Sequence, residues 1–299
     1  SSPRSPRRWQ GWAIPGNETP GGWDRAGGMS DTLQVAGIVT RWVRCGDYKE
    51  TNFRRVSSLI REAAAGGAQI ACTTEGFLDG YHEEVSDQAY RDVGAWLEAA
   101  DSGAYVRRLA ELAHELGIYI AAGVAVADGS STDGNGDPKP FNACQLFAPE
   151  GTVVGAYYKT HNFRKRSPWF AAVPDAQKPD CFPAFATDLG RMGFMICNDR
   201  IFEETTRWLA GNGADWILCP TGGAFAYEML RERSRECGVA IAWVHPNGFA
   251  ATGPDGELLA EIRFGGKGAS LHLEEGELGG PLDHGEVCYV ELPRRVAGD

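Results

Sequence analysis

The chain has 299 residues, 43% hydrophobic and 23% charged, enough apolar material for a sizeable core and with no run approaching the roughly 18 apolar residues of a membrane span. Forty acidic against 29 basic side chains give a formal charge of −11, which argues against nucleic acid or an anionic membrane as main partner and leaves a small molecule as the expected ligand. The eight cysteines, at 45, 72, 144, 181, 197, 219, 237 and 288, show neither a dense nor a zinc-like spacing, so reduced thiols in a cytoplasmic setting are expected, with no metal and no cofactor.

Residues 1–28 are rich in Arg, Pro, Gly and Trp and lack the continuous apolar stretch of a secretory signal. Residues 1–30 are expected to form a disordered tail and 31–299 a single domain, since no linker-like break follows residue 31. The first strand is predicted over Leu33–Val39, a helix over Lys49–Ala65 and a second strand over Gln69–Thr73. A helix follows over Gly103–Leu116, in which Val106, Leu109, Ala110, Ala113 and Leu116 recur at helical spacing and Gly117 is placed as a stop. Ile118–Val126 reads as a strand and 128–138 as a polar loop. Asn142–Phe147 and Thr152–Tyr158 then form a hairpin turning at Pro149-Glu150-Gly151. Arg191–Ile196 is a short apolar strand after a turn at Asp188–Gly190. Helices over Glu203–Asn212 and Tyr227–Cys237 alternate with strands over Trp216–Cys219 and Val239–Val244. Leu258–Ile262, Ala269–Leu273 and Glu286–Leu292 supply the closing strands. Such alternation implies a layered α/β domain.

Three ionisable residues stand where predicted strands stop: Glu75 after Cys72-Thr73-Thr74, Lys159 after Tyr157-Tyr158, and Cys197 after Phe194-Met195-Ile196. In open α/β sheets ligands bind outside the carboxyl ends of strands, and a thiol on a strand-to-helix bend can approach a substrate carbon while nearby backbone N–H groups face a developing oxyanion. Taken singly, each also has a structural reading: a cysteine packed in the core, a glutamate that caps or faces water, and a solvated lysine at the end of a hairpin. Cys72 and Cys219 compete for the nucleophile's role, but neither precedes a comparable elbow, and Cys219 is followed by Pro220, which offers no N–H.

Glu75, Lys159 and Cys197 in this order resemble the nitrilase superfamily of carbon-nitrogen hydrolases. So do Cys197-Asn198-Asp199-Arg200, Phe202-Glu203, Gly213-Ala214-Asp215, Cys219-Pro220-Thr221 and Arg233-Ser234-Arg235-Glu236, and the likeness runs from about Leu33 to Leu292. The resemblance implies a four-layer α-β-β-α sandwich, assembled as a homodimer or higher homo-oligomer through its helices. It also implies a hydrolase of non-peptide carbon–nitrogen bonds, an amidase or N-carbamoyl amide hydrolase working through a cysteine thioester. Cys197 is then the nucleophile and Glu75 the proton carrier, with Lys159 and the Asn198 backbone N–H as oxyanion donors. A nitrilase converting a nitrile to acid and ammonia uses the same residues and stays open.

Many superfamily members carry a second glutamate between the lysine and the cysteine. Here the interval holds no glutamate, only Asp175, Asp180 and Asp188, and Arg164-Lys165-Arg166-Ser167-Pro168 occupies the expected place. This departure keeps a catalytically silent binding or scaffold protein, and an acyltransferase, among the alternatives. His161, Arg164 and Arg166 belong to a basic loop that would suit a substrate carboxylate, although such a run more often faces water and His161 more often has a structural role. Trp169, Phe170 and Phe225, with Phe163, would make an apolar wall, a pattern that core packing explains equally well, and Thr221 is a further candidate substrate contact. Asp199 and Glu203 are expected to brace the elbow, and Arg233-Ser234-Arg235-Glu236 to brace the fold.

Overall fold

Side-chain alternation along the strands builds two sheets that face each other. The computed structural model describes residues 31–80, 97–163, 170–173, 178–224, 226–264, 270–273, 277 and 285–295. The predicted tail at 1–30 and the candidates Arg164, Arg166, Trp169 and Phe225 lie outside the described residues.

The first sheet contains β1 (Thr32–Thr40), β3 (Ile70–Cys72), β4 (Glu98–Ala99), β5 (Tyr119–Ala127), β6 (Phe141–Phe147), β7 (Val153–Tyr158) and β15 (Gly285–Pro293). Its order is β15-β1-β3-β5-β6-β7, with β4 pairing beside β5. Strands β1, β3 and β5 run parallel, β6 turns back, and β7 runs with β5 again, so the carboxyl ends of β3 and β7 lie on one side. The second sheet is β13-β12-β11-β10-β9-β8, comprising β8 (Ala184–Thr187), β9 (Gly190–Phe194), β10 (Trp216–Pro220), β11 (Ala240–His245), β12 (Gly248–Thr252) and β13 (Leu258–Arg263). Here β9, β10 and β11 are parallel.

One core lies between the sheets, where Leu33, Val35, Ile70, Cys72 and Leu146 share a cluster with Phe194, Leu218 and Phe249. The opposite faces of the first sheet, carrying Ala36, Ile38, Ala71, Ile120 and Val124, pack against helices α1 (Tyr48–Ala65) and α2 (Ala104–Leu116) through Phe53, Val56, Ile60, Leu109 and Ala113. Helices α3 (Glu203–Gly211) and α4 (Glu228–Cys237) cover the second sheet, against β9 and β11 respectively. The architecture is the expected α-β-β-α sandwich, because strands buried on both faces need helices outside them. Gly117 closes α2 in the left-handed region at φ 66°, as its position predicts.

The differences are local. The elbow does not pass straight into a helix: Cys197–Ile201 forms a 3₁₀ turn before α3. Of the expected strand Ala269–Leu273, which the structure describes from residue 270 on, His272–Leu273 forms β14, which pairs with β2 (Trp42–Val43) in a separate ladder and belongs to neither large sheet, although β15 closes the first as expected. Strands β2, β4, β8 and β12 are additional to the predicted elements. They are short, or in β12 small-residue-rich, so they carry little periodic signal. Among the described residues no helix is long and apolar enough to cross a membrane.

Candidate active site

Glu75 stands three residues beyond β3 in a turn held by β5. Thr73 N–H donates to Ala121 O at 2.9 Å, Gly123 N–H to Thr73 Oγ1 at 2.9 Å, and Phe77 N–H to Gly123 O at 3.1 Å. A Cβ on Gly123 would lie 2.3 Å from Thr74 O and 2.8 Å from Glu75 Cα, so the absent side chain is what lets the turn seat against β5. Glu75 is fully buried, and its Oε1 accepts from Lys159 Nζ at 2.6 Å and from Asn142 Nδ2 at 2.7 Å.

Lys159 follows β7 directly and is itself buried. Burial works against its ammonium, but the charges of Glu75, Cys197 and Asp199 outweigh it and hold Lys159 above its ordinary value. Even with no glutamate between Lys159 and Cys197, the lysine stays a cation. Burying such a pair costs desolvation energy that good geometry at best repays, so its place at two strand ends is a mark of function more than of stability.

Cys197 lies just beyond β9, is 5% exposed, and has φ 48°, the one non-glycine residue at positive φ among the described residues. For an L-residue that conformation stores strain, and it turns the chain sharply at the sulfur. Asp199 enforces the bend. Its carboxylate accepts Ile196 N–H at 2.9 Å from the elbow, Tyr157 Oη–H at 2.9 Å, Thr160 Oγ1–H at 3.1 Å and His161 N–H at 2.8 Å from the segment around Lys159. His161 Nδ1 lies 3.0 Å from the same carboxylate. Burial pushes the Asp199 carboxyl up, but the hydrogen bonds from His161 and Ile196 and the charge of Lys159 prevail and leave it below its ordinary value. One buried anion therefore ties the lysine-bearing segment to the cysteine-bearing one.

Arg200 secures the other flank. It donates to Cys197 O, to Ala226 O at 2.8 Å and to Ala224 O at 3.0 Å, and its Nη1 lies 3.6 Å from Cys197 Sγ. His245, at the end of β11, reaches the same loop: Nε2 lies 2.8 Å from Gly223 O while Nδ1 accepts Asn247 N–H at 3.0 Å, which places the proton on Nε2. Burial pushes this imidazole down to about 4, so it is neutral at pH 7.

The structure joins Glu75 to Lys159 directly, and Cys197 lies near enough to the lysine for its charge to act on it. The competing thiols are placed differently: burial raises Cys72 far above the ordinary range and Cys219 to about 12, holding both protonated. His161 stacks on Phe202 with centroids 3.7 Å apart, and its backbone O accepts Asn198 Nδ2–H at 3.1 Å, so its contacts are with the elbow. Thr221 is buried and its hydroxyl donates to Cys219 O at 3.2 Å. Phe170 is buried, whereas Phe163 is 43% exposed. Glu203 pairs with Arg207 at 2.8 Å and with Arg233 at 3.6 Å, and Arg233 reaches Ile201 O at 3.4 Å, which fits the bracing expected of both motifs. Sequence reasoning missed Asn142, Arg200 and His245 as site residues. The available signal was a polar side chain inside an apolar strand for Asn142 and His245, and for Arg200 a cation in the elbow itself.

The sequence model of the carbon-nitrogen hydrolase family matches residues 44–273. The chain is 29% identical over 180 residues to a nitrilase of Pyrococcus abyssi, a match covering 60% of this chain and 61% of the relative, so that it spans about three fifths of that protein's length. It is 28% identical over 213 residues to the omega-amidase NIT2 of Homo sapiens, covering 68% of this chain and 72% of the relative. Among solved structures, an amidase from Nesterenkonia sp. superposes with a TM-score of 0.64 at 20% identity over 87% of this chain and 90% of that one. Saccharomyces cerevisiae Nit3 does so at 0.68 and 19% over 89% and 91%, and likenesses at such identity speak to the fold. With the family match spanning well over half its length, the chain belongs to the carbon-nitrogen hydrolases of the nitrilase superfamily.

Proposed function

We propose that the protein is an amidase-type hydrolase of small-molecule, non-peptide carbon–nitrogen bonds acting through a thioester on Cys197. Glu75 takes the thiol proton and the sulfur bonds to the amide carbon, whose oxygen becomes an anion facing Lys159 Nζ and the Asn198 backbone N–H. That N–H is near the head of the 3₁₀ turn, where backbone donors lack intrahelical acceptors. As the anion collapses, the carbon–nitrogen bond breaks and Glu75 hands its proton to the departing amine. Water then attacks the thioester, Glu75 takes a proton from it, the carbon–sulfur bond breaks, and Glu75 returns that proton to the sulfur as the acid product leaves. The observation that supports this reading is the buried ion pair of Glu75 with Lys159, a lysine kept cationic in part by the charge of Cys197, itself held at positive φ.

The similar Nesterenkonia amidase has been solved with acrylamide and with butyramide, and with the acetamide moiety of fluoroacetamide added covalently at its active-site cysteine. Small aliphatic amides are therefore the first substrates to test. Butyramide should release ammonia and leave a transient acyl mass on the Cys197 peptide, and Cys197→Ala should abolish both while remaining folded. Undiminished ammonia release by a folded Cys197→Ala protein would sink the proposal, and absence of any adduct would favour a silent scaffold. Nitrile hydrolysis is the second reading, motivated by the Pyrococcus abyssi nitrilase; ammonia from butyronitrile but not butyramide would select it. Adduct transfer to an added amine would indicate an acyltransferase. Assembly as a homodimer through the outer helices, where Trp208 of α3 is 36% exposed, is part of the proposal and is checked by light scattering.

A further inference from the structure

Asn142 lies in β6 among Phe141, Ala143, Cys144 and Leu146 and is 4% exposed. A buried amide in such a strand is costly unless hydrogen-bonded. Its Nδ2 donates to Glu75 Oε1 at 2.7 Å, the oxygen that Lys159 Nζ approaches at 2.6 Å, and its own backbone O accepts the Lys159 N–H at 2.8 Å. One residue thus holds the Glu75 carboxylate through its side chain and the backbone of Lys159 through its main chain, across 67 residues of sequence in the first case.

We infer that Asn142 is a positioning residue for proton transfer, fixing the rotation of the Glu75 carboxylate and favouring its ionised form by a neutral donor that adds no charge to the site. The inference rests on the reading of Glu75 as the proton carrier. A lysine or arginine in the same place would also orient the carboxylate but would compete with Lys159 for it. An amide orients without that competition.

The test uses iodoacetamide alkylation of Cys197 in the full chain, followed by mass of the Cys197 peptide across pH 4–9, for wild type, Asn142→Leu, Asn142→Asp, Glu75→Gln and the double variant Glu75→Gln/Asn142→Leu. Removing a donor to the charged carboxylate should move the acid limb of the alkylation rate up by about one pH unit in Asn142→Leu. In the Glu75→Gln background the same change should move nothing further, because the residue acts through Glu75. Asn142→Asp keeps the shape: its protonated acid can donate as the amide does, and its ionised form repels Glu75. That variant should therefore match wild type on the acid side and diverge as pH rises, and it decides the matter where Asn142→Leu does not fold. An unmoved limb in Asn142→Leu alongside a moved one in Glu75→Gln overturns the role of Asn142 alone. An equal shift in both backgrounds overturns it too, by showing action elsewhere. A Glu75→Gln profile identical to wild type defeats the underlying reading of Glu75 and the inference with it.

Discussion

Replacing Asp199 by asparagine is the sharpest perturbation of the site, because it conserves shape and removes one charge. Asp199 Oδ1 accepts the backbone N–H of His161, and Oδ2 accepts the backbone N–H of Ile196. An asparagine has one acceptor oxygen and one donor NH₂, so either orientation sets its NH₂ against one of these N–H groups. Tyr157 and Thr160 can rotate their hydroxyls to adapt, but a backbone N–H cannot. The loss is therefore one or two charge-assisted hydrogen bonds plus a buried orphaned donor, together about 3–5 kcal/mol. Urea unfolding at pH 7 should show this loss, and alkylation of Cys197 by iodoacetamide should slow as the elbow loosens. Since the Asp199 carboxyl sits below its ordinary value, its contribution is full above the usual aspartate range and vanishes as pH falls through the folded value. The gap between wild type and variant should accordingly narrow in acid. A destabilisation below about 1 kcal/mol at pH 7 would refute the view that this anion holds the two segments together.

Gly123→Ala places a methyl 2.3 Å from Thr74 O and should cost about 1–3 kcal/mol and slow adduct formation at Cys197 roughly 100-fold by displacing Glu75; an unchanged rate would count against the seating described for that turn. His245, held down to about 4 against an ordinary value of 6.5, stabilises the fold fully above the unfolded value. That stability, about 3 kcal/mol, is lost as pH falls from 6.5 towards 4, and urea midpoints for His245→Asn should lack this part of the acid slope. Cys197→Gly should be more stable than Cys197→Ala by about 1 kcal/mol in thermal or urea unfolding, because glycine accepts φ 48° without strain.

The alternation of apolar strands and amphipathic helices was legible because period and capping are local. Leu33–Val39 and Gly103–Leu116 were each placed to within a residue or two, with Gly117 as the stop. Short pieces such as β2 and β4, two residues each, carry too little pattern to be read before their partners are known. The fate of Ala269–Leu273 was likewise decided by β2 as a neighbour.

Each of Glu75, Lys159 and Cys197 follows an apolar run that ends abruptly, but it was their resemblance in chain order to the nitrilase superfamily that nominated them together. Tertiary structure decided what surrounds them. Asn142 reaches Glu75 across 67 residues, Tyr157 reaches Asp199 across 42, and His245 meets Gly223 across 22. Tertiary contacts likewise turned His161 towards Asp199 and the Thr221 hydroxyl towards a backbone carbonyl. A sequence pattern reports which side of an element is apolar, because that preference is set residue by residue in water. Which donor meets which acceptor depends on how the sheets pack, and that arrangement exists only once the chain has folded.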